Sequence, residues 1–496
     1  MDFVKQLELL TASETEEERK QAEFYILKPN FFLRAWQDIP FAVFDQNKAS
    51  VIPTTELENS AVQICNGRVD IHCFAVTPSL RRAVLNLVDR GIVEKCAYGT
   101  AMEQRQLMHR FDTPLRPTAK WAITGRCNMK CKHCFLSAPD AKFGEMSHEE
   151  CMRLIDQMAE MGISRVGLTG GEPLVRPDFF QLVDALIAKG IDVVGIATNG
   201  LLVNERFADE LESRNLHPRI FMSYDGTEGW HDWLRGIDGA ERVLMKKFEL
   251  LAKRGFYTGS AMTIHKLNKG VIRDSVNRLA SVGVRHVIVN RMTNFGEWEK
   301  YGTDFNISAE ELYAAFFEYL PQFYADGAPV QLVLNRFFQT MDQTGKDYRI
   351  IPAKGYKKCS DYLCLPTHNV VYITADGKVM PCLYVASQET PCVQMPNVKN
   401  GLREAMTDPR YLGTVDIRVD EYFDHNPACR ACKYSNLCMG GCRAHALETN
   451  PNDYLSKDYE NCMFYHNDYH TRIYELMKQI APDARCINFS PEHCKY

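Results

Sequence analysis

Eighteen cysteines stand in a chain of 496 residues, and their placement constrains the fold more than any other feature. Cys65, Cys73 and Cys96 are scattered; Cys127, Cys131 and Cys134 are packed together with Cys151 nearby; none occurs for the next two hundred residues; eleven lie from Cys359 onward. The opening segment, MDFVKQLELLTASETEEERK, has no apolar core of the kind that directs export, and no apolar run approaches the roughly 18 residues that would span a bilayer. The expected location is therefore the cytoplasm, with no membrane partner. A reducing compartment disfavours a disulfide framework, which leaves metal or cluster ligation at two separate Cys-rich sites.

A chain of 56.8 kDa exceeds one hydrophobic core, so about three domains are expected. The apolar share of 45% and charged share of 24% are ordinary globular usage. With Lys plus Arg at 58 against Asp plus Glu at 63, the net charge of -5 offers no general field for nucleic acid.

Residues 1–110 alternate short β-rich runs with helical patterns. The clearest helix has Thr77 as N-cap, Pro78 in first position, an apolar face of Leu80, Ala83, Val84, Leu87 and Val88, and Gly91 as its end. Together these predict a small winged-helix-like α+β module, with a polar linker around residues 100–110 followed by Pro114 and Pro117. Over 115–300 six strands, KWAIT, RVGLT, DVVGIAT, RIFMSY, YTGSAMTIH and RHVIVNRM, alternate with amphipathic helices. That alternation predicts an α/β fold, a parallel sheet forming a partial (βα)6 TIM-like barrel whose active site lies at the C-terminal strand edge. Residues 301–355 read as a Phe- and Tyr-rich helical bridge, 356–470 as a Cys-rich domain held by metal rather than by a large core, and 471–496 as a helix and tail.

The short motifs of the barrel all fall at strand ends: CxxxCxxC after the first strand, Gly170-Gly171-Glu172-Pro173 after the second, Thr198-Asn199 at the third, and Ser223 with the downstream Arg235 at the fourth. Three thiolates can hold three irons of a [4Fe–4S] cluster and leave the fourth open to a ligand, whereas structural zinc needs a fourth protein ligand. Here the sequence resembles the radical S-adenosylmethionine (SAM) superfamily over roughly 118–292. By that resemblance SAM chelates the open iron and is cleaved to a 5′-deoxyadenosyl radical that abstracts hydrogen. The SAM amino group falls to Gly170, Gly171, Glu172 and Pro173, the carboxylate to Ser223 and Arg235, the ribose to Thr198 and Asn199, and packing on adenine to His133.

In the C-terminal third, Cys364, twelve residues, Gly377, four residues and Cys382 are followed by CxxCxxxxxCxxxC over Cys429, Cys432, Cys438 and Cys442, then Cys462. This resembles the seven-cysteine SPASM domain of radical SAM enzymes that act on peptides. The resemblance implies one auxiliary cluster on Cys429, Cys432, Cys438 and Cys462 and another on Cys364, Cys382, Cys442 and an upstream Cys, for which Cys359 is placed. The implied cofactors are thus three [4Fe–4S] clusters and SAM, with a flavodoxin or ferredoxin as reducing partner. A zinc ribbon over Cys429–Cys442 is the plain alternative. Cys392, Cys486 and Cys494 have no assigned role beyond a substrate-thiol role for either of the last two.

The N-terminal module resembles the recognition element for precursors of ribosomally made peptides, which binds a leader peptide as an added strand; the alternative is a DNA-binding winged helix. The combined expectation is a peptide maturase that installs an intrapeptide cross-link, a thioether first and a carbon–carbon bond second. The anaerobic sulfatase maturases, which make formylglycine, share barrel and SPASM domain but commonly carry an acidic base after the second SPASM Cys, where Leu383 stands here. Asp361 is the remaining candidate base, and a non-enzymatic peptide-binding role the third class.

Overall fold

The computed structural model describes residues 3–490 except 14, 16, 18–20, 47–49, 139–141, 302, 354–358 and 389. It divides into two compact units, residues 1–115 with 160–162, and residues 116–159 with 163–496.

The first unit contains α1 (Phe3–Ala12), β1 (Phe24–Leu27), β2 (Phe31–Ala35), β3 (Ala42–Asp45), β4 (Ser50–Pro53), α2 (Glu56–Ile64), α3 (Pro78–Asp89), β5 (Val93–Cys96) and β6 (His109–Arg110). One sheet has the order β4-β3-β2-β6, and β1 pairs antiparallel with β5. Helix α3 forms as its sequence dictates: Thr77 accepts the Leu80 N–H, Pro78 opens the first turn, and Leu80, Ala83, Val84 and Leu87 are buried. Gly91, at φ +70°, releases the chain into β5. Cys65 and Cys73 are buried in this core as plain apolar groups. The stretch expected as a polar linker is instead tied into the unit. Gln106 is buried and its amide donates to the carbonyls of Leu27, Lys28 and Phe31, while β6 pairs with β2. A buried side-chain amide that bridges three main-chain carbonyls is a structural clamp that composition alone reads as loop.

The second unit is built on one twelve-stranded sheet. Strands β7 (Thr118–Ala122), β8 (Arg165–Thr169), β9 (Asp192–Thr198), β10 (Arg219–Ser223), β11 (Thr258–Ile264) and β12 (His286–Arg291) run parallel in chain order. Between them come α4 (His148–Glu160), α5 (Phe179–Ala188), α6 (Glu205–Ser213), α7 (Trp230–Arg235), α8 (Ala240–Lys253) and α9 (Ile272–Ser281). Each longer helix buries one stripe, as with Leu244, Met245, Phe248 and Leu251 of α8. Because all six strands are parallel, their C-terminal ends and the loops that follow share one edge of the sheet.

The expected bridge is more than helical. It supplies α10 (Ala309–Ala325) and then β13 (Gln331–Leu334), β14 (Phe338–Thr340) and β15 (Asp347–Ile350), which extend the sheet beyond β12. At the opposite end, β16 (Val370–Ile373) from the Cys-rich region pairs parallel with β7 and antiparallel with β17 (Val379–Met380). A short β18 (Arg485–Cys486) pairs with β15. The Cys-rich region is otherwise short helices, including α11 (Arg443–Thr449) and α12 (Tyr459–His466), before α13 (Tyr469–Ile480). Among the described residues, no helix is long and apolar enough to cross a membrane.

Candidate functional site

The loop after β7 carries Cys127, Cys131 and Cys134, whose thiols interact with one another. The loop after β8 is zipped to it: Gly171 N–H donates to Thr124 O and Glu172 N–H to Arg126 O, both at 2.8 Å. A Cβ on Gly170 would lie 2.5 Å from Thr124 O, and one on Gly171 would collide with Arg126 O. The double glycine is thus required by close approach of two loops at the entry to Cys127.

Glu172, expected at the ligand's amino group, is turned inward. It is fully buried, with Oε1 accepting from Thr198 Oγ1 at 2.7 Å and from Leu174 N–H at 3.0 Å, and Oε2 accepting from Asn199 N–H at 2.6 Å. Burial raises its pKa above the ordinary carboxylate value against these three donors. Its carboxylate latches the loop after β8 to the end of β9. The Thr198 hydroxyl donates to Glu172 and accepts from Gly200 N–H, so its proton is committed to the carboxylate. The Asn199 side chain does face the cysteine loop, with Nδ2 2.7 Å from Asn128 Oδ1 and 3.8 Å from Cys127 Sγ. Pro173 opens a single 3-10 turn, and Ser223 ends β10.

Arg235 ends α7 buried, its Nε and Nη2 both 2.7 Å from Asp225 Oδ2 and its Nη1 3.5 Å from Cys131 Sγ. Asp225 is fully buried and also accepts the Thr263 N–H at 3.1 Å. Burial alone would raise this carboxyl, yet the Arg235 guanidinium beside it outweighs burial and holds it below the usual range. Burial pushes His133, His231 and His265 down to about 4, so these imidazoles are neutral at neutral pH. The approaches of His133 Nε2 at 3.7 Å and His231 Nδ1 at 3.9 Å to Asp225 are consequently not ion pairs. Trp233 packs edge-on to Trp298 and beside His265 and Phe305, a wall of rings next to this buried group. Asp225, His231 and His265 were missed by motif reading, although Asp225 lies two residues beyond Ser223 in the same SYDG segment.

Seven of the remaining cysteines form two more groups. Cys364, Cys382 and Cys442 lie near enough to one another and to Tyr454 for their charges to interact. Cys429, Cys432, Cys438 and Cys462 line one small cavity. Cys359 is exposed, interacts with Arg430, and directly follows residues outside the described set. Asp361 is partly exposed, and its carbonyl accepts the Val419 N–H. Cys392 packs against the core of the Cys-rich region, Cys486 Sγ lies 3.6 Å from Asn488 Oδ1, and Cys494 lies outside the described residues.

Donors aim at these sulfurs. Tyr422 Oη is 3.4 Å from Cys429 Sγ, Asn461 Nδ2 is 3.0 Å from Cys438 Sγ, and the Met129 N–H donates to Cys127 Sγ and the Ala138 N–H to Cys134 Sγ, both at 3.4 Å. The buried Tyr454 hydroxyl has no partner. Burial pushes Cys127 up to about 11 and Cys382 and Cys462 up to about 12, so these thiols ionise at neutral pH only where a metal competes for the sulfur. Among the described residues, no three or more His, Cys, Asp or Glu converge on a single metal ion. Donors aimed at sulfur and an orphaned buried hydroxyl suit the sulfur-rich surface of polynuclear clusters.

This arrangement of an open parallel sheet, a three-cysteine loop at its C-terminal edge and a Cys-rich extension defines a class. Residues 121–279 match the radical SAM superfamily and 364–433 the SPASM iron–sulfur cluster-binding domain, so the chain carries both domains in series. A radical SAM domain implies a [4Fe–4S] cluster and SAM. An AdoMet-dependent heme synthase of Methanosarcina barkeri is 28% identical over 68% of this chain and 94% of its own. The antilisterial bacteriocin subtilosin biosynthesis protein AlbA of Bacillus subtilis is 24% identical over 68% and 69%. In fold, Streptococcus suis SuiB bound to precursor peptide SuiA is similar at 14% identity with a TM-score of 0.60, covering 87% of this chain and 100% of that one.

Proposed function

We propose that the chain is a radical SAM maturase that cross-links a ribosomally made precursor peptide. The observation that carries this reading is the reach of the likeness to peptide-bound SuiB: 87% of the chain is more than the second unit alone supplies, so the likeness extends into the N-terminal unit. In this reading that unit is the precursor-recognition element, and the leader adds as a strand to a sheet edge such as β4. The core peptide then reaches the C-terminal edge of the barrel.

Cys127, Cys131 and Cys134 hold the catalytic cluster; the edge of Gly170 and Gly171, with Ser223, Asn199 and His133, receives SAM. When bound, these groups supply hydrogen-atom abstraction from a substrate carbon. Arg235 and Asp225 fix the position of Cys131, and the ring wall around Trp233 excludes water. Joining that carbon to a substrate Cys sulfur removes two hydrogens in all: one is abstracted, and the other leaves as a proton and an electron. Groups held by the two further cysteine sets would offer an outlet for the electron, which favours a thioether or carbon–carbon link over simple hydrogen transfer.

Co-expression with a short Cys-containing precursor tests the reading. A peptide lighter by two hydrogens, blocked at one Cys, is expected; an unchanged mass across candidate precursors overturns it. The heme-synthase likeness favours a second reading, a tetrapyrrole substrate. SAM-dependent turnover of an iron porphyrin by the full chain, without any peptide, would establish that one instead.

A further inference from the structure

Cys442 and Cys462, which the reading above gives to different auxiliary clusters, are both hydrogen-bonded to one residue. Asp458 Oδ2 accepts the Cys442 N–H at 2.8 Å, and the Asp458 main-chain carbonyl accepts the Cys462 N–H at 3.0 Å. Its Oδ1 accepts the Asn461 N–H at 3.0 Å, and Asn461 in turn donates to Cys438 Sγ. Asp458 also borders the cavity of Cys429, Cys432, Cys438 and Cys462.

An N-cap alone does not call for this environment, since capping carboxylates work at the surface. Asp458 is 2% exposed, and its charge is met by Arg336 Nη2 at 2.8 Å, from the turn after β13 and 122 residues away in sequence. Arg336 Nε lies 2.9 Å from Glu460 Oε1, and Glu460 is held by Arg291 Nη2 at 2.8 Å and by Tyr313 Oη at 2.9 Å. The chain bends to admit the contact: Met439, Gly440 and Gly441 take φ of 47°, 77° and 71°, and a Cβ on Gly441 would come within 2.5 Å of Asp458 Oδ2.

We infer that Asp458 is a positioning residue that joins the two auxiliary sites, through one short bonded path between their ligands and one buried charge shared by both. The inference rests on the assignment of the seven cysteines to two clusters. Cluster potentials respond to nearby charge and to hydrogen bonds, and a buried charge is weakly screened. The negative charge of Asp458 lowers the potential at both sites, and Arg336 opposes it.

The full chain, reconstituted anaerobically in a Cys127→Ala, Cys131→Ala, Cys134→Ala background, isolates the auxiliary signals for redox titration followed by electron paramagnetic resonance. Asp458→Asn keeps an oxygen for the Cys442 N–H but removes the charge; Arg336→Gln removes the opposing charge. The expected result is an upward shift of both auxiliary midpoints in Asp458→Asn and a downward shift of both in Arg336→Gln, with iron content unchanged. Unmoved midpoints, or a shift at one site only, overturn the inference. Should Asp458→Asn load iron poorly, Arg336→Gln decides alone by the same criterion. A parent that holds about four irons fails the two-cluster assignment instead.

Discussion

Asp225→Asn is the sharpest probe of the barrel site. The Asn side chain can still accept the Thr263 N–H, so the substitution removes mainly the charge that faces Arg235 at 2.7 Å. Arg235 is 9% exposed and would be left as a buried cation without its counter-ion, a loss of about 3–5 kcal/mol. Arg235→Met strands the fully buried Asp225 and costs a similar amount. The double variant strands neither charge, so a cycle of the four proteins should show a coupling of about 2–3 kcal/mol. Three of the five Trp residues, Trp230, Trp233 and Trp298, stand in or beside the ring wall, so the urea transition seen by Trp fluorescence reports on this region. The sign with pH also follows. Asp225 is held below the ordinary carboxylate range, so its stabilisation is fully present above that range and is lost as pH falls through the depressed folded value. Single substitutions costing less than about 1 kcal/mol, or strictly additive costs, would refute the view that this pair anchors the site.

Gly171→Ala pushes the loop after β8 off Arg126 and should remove about four irons per chain while the auxiliary iron stays, as measured by iron and sulfide assay. Tyr454→Phe relieves an unpartnered buried hydroxyl and should stabilise the iron-free protein by about 1 kcal/mol in urea unfolding, while lowering the midpoint of the cluster on Cys364, Cys382 and Cys442. Burial raises Cys127, Cys382 and Cys462, and ligation needs the thiolate, so iron uptake during reconstitution should rise steadily between about pH 7 and pH 9, followed by absorbance.

Much of the site was legible because its signals are local. The spacing of Cys127, Cys131 and Cys134, and the alternation of strands with amphipathic helices, each need only a short window of sequence. Helix α3 was readable end to end, since Thr77, Pro78 and Gly91 each act on the backbone beside them. Orientation was less accessible. Glu172 sits in the expected motif, but whether its carboxylate faces a ligand or the end of β9 depends on Thr198 and Asn199, 26 and 27 residues away. Pairing across the chain was not legible at all. Val370–Ile373 carries no mark that it will lie beside β7, and nothing near Arg336 announces Asp458. Such partners are chosen by the assembled sheet, where a buried charge or an unpaired strand edge is costly until another segment meets it.

The most direct test is metal counting on anaerobically reconstituted protein and on its Cys127→Ala, Cys131→Ala, Cys134→Ala variant. About twelve irons in the parent, falling to about eight in the variant with matching sulfide, are expected for one catalytic and two auxiliary clusters. About four irons in the parent, lost entirely in the variant and accompanied by zinc on the C-terminal cysteines, would contradict it.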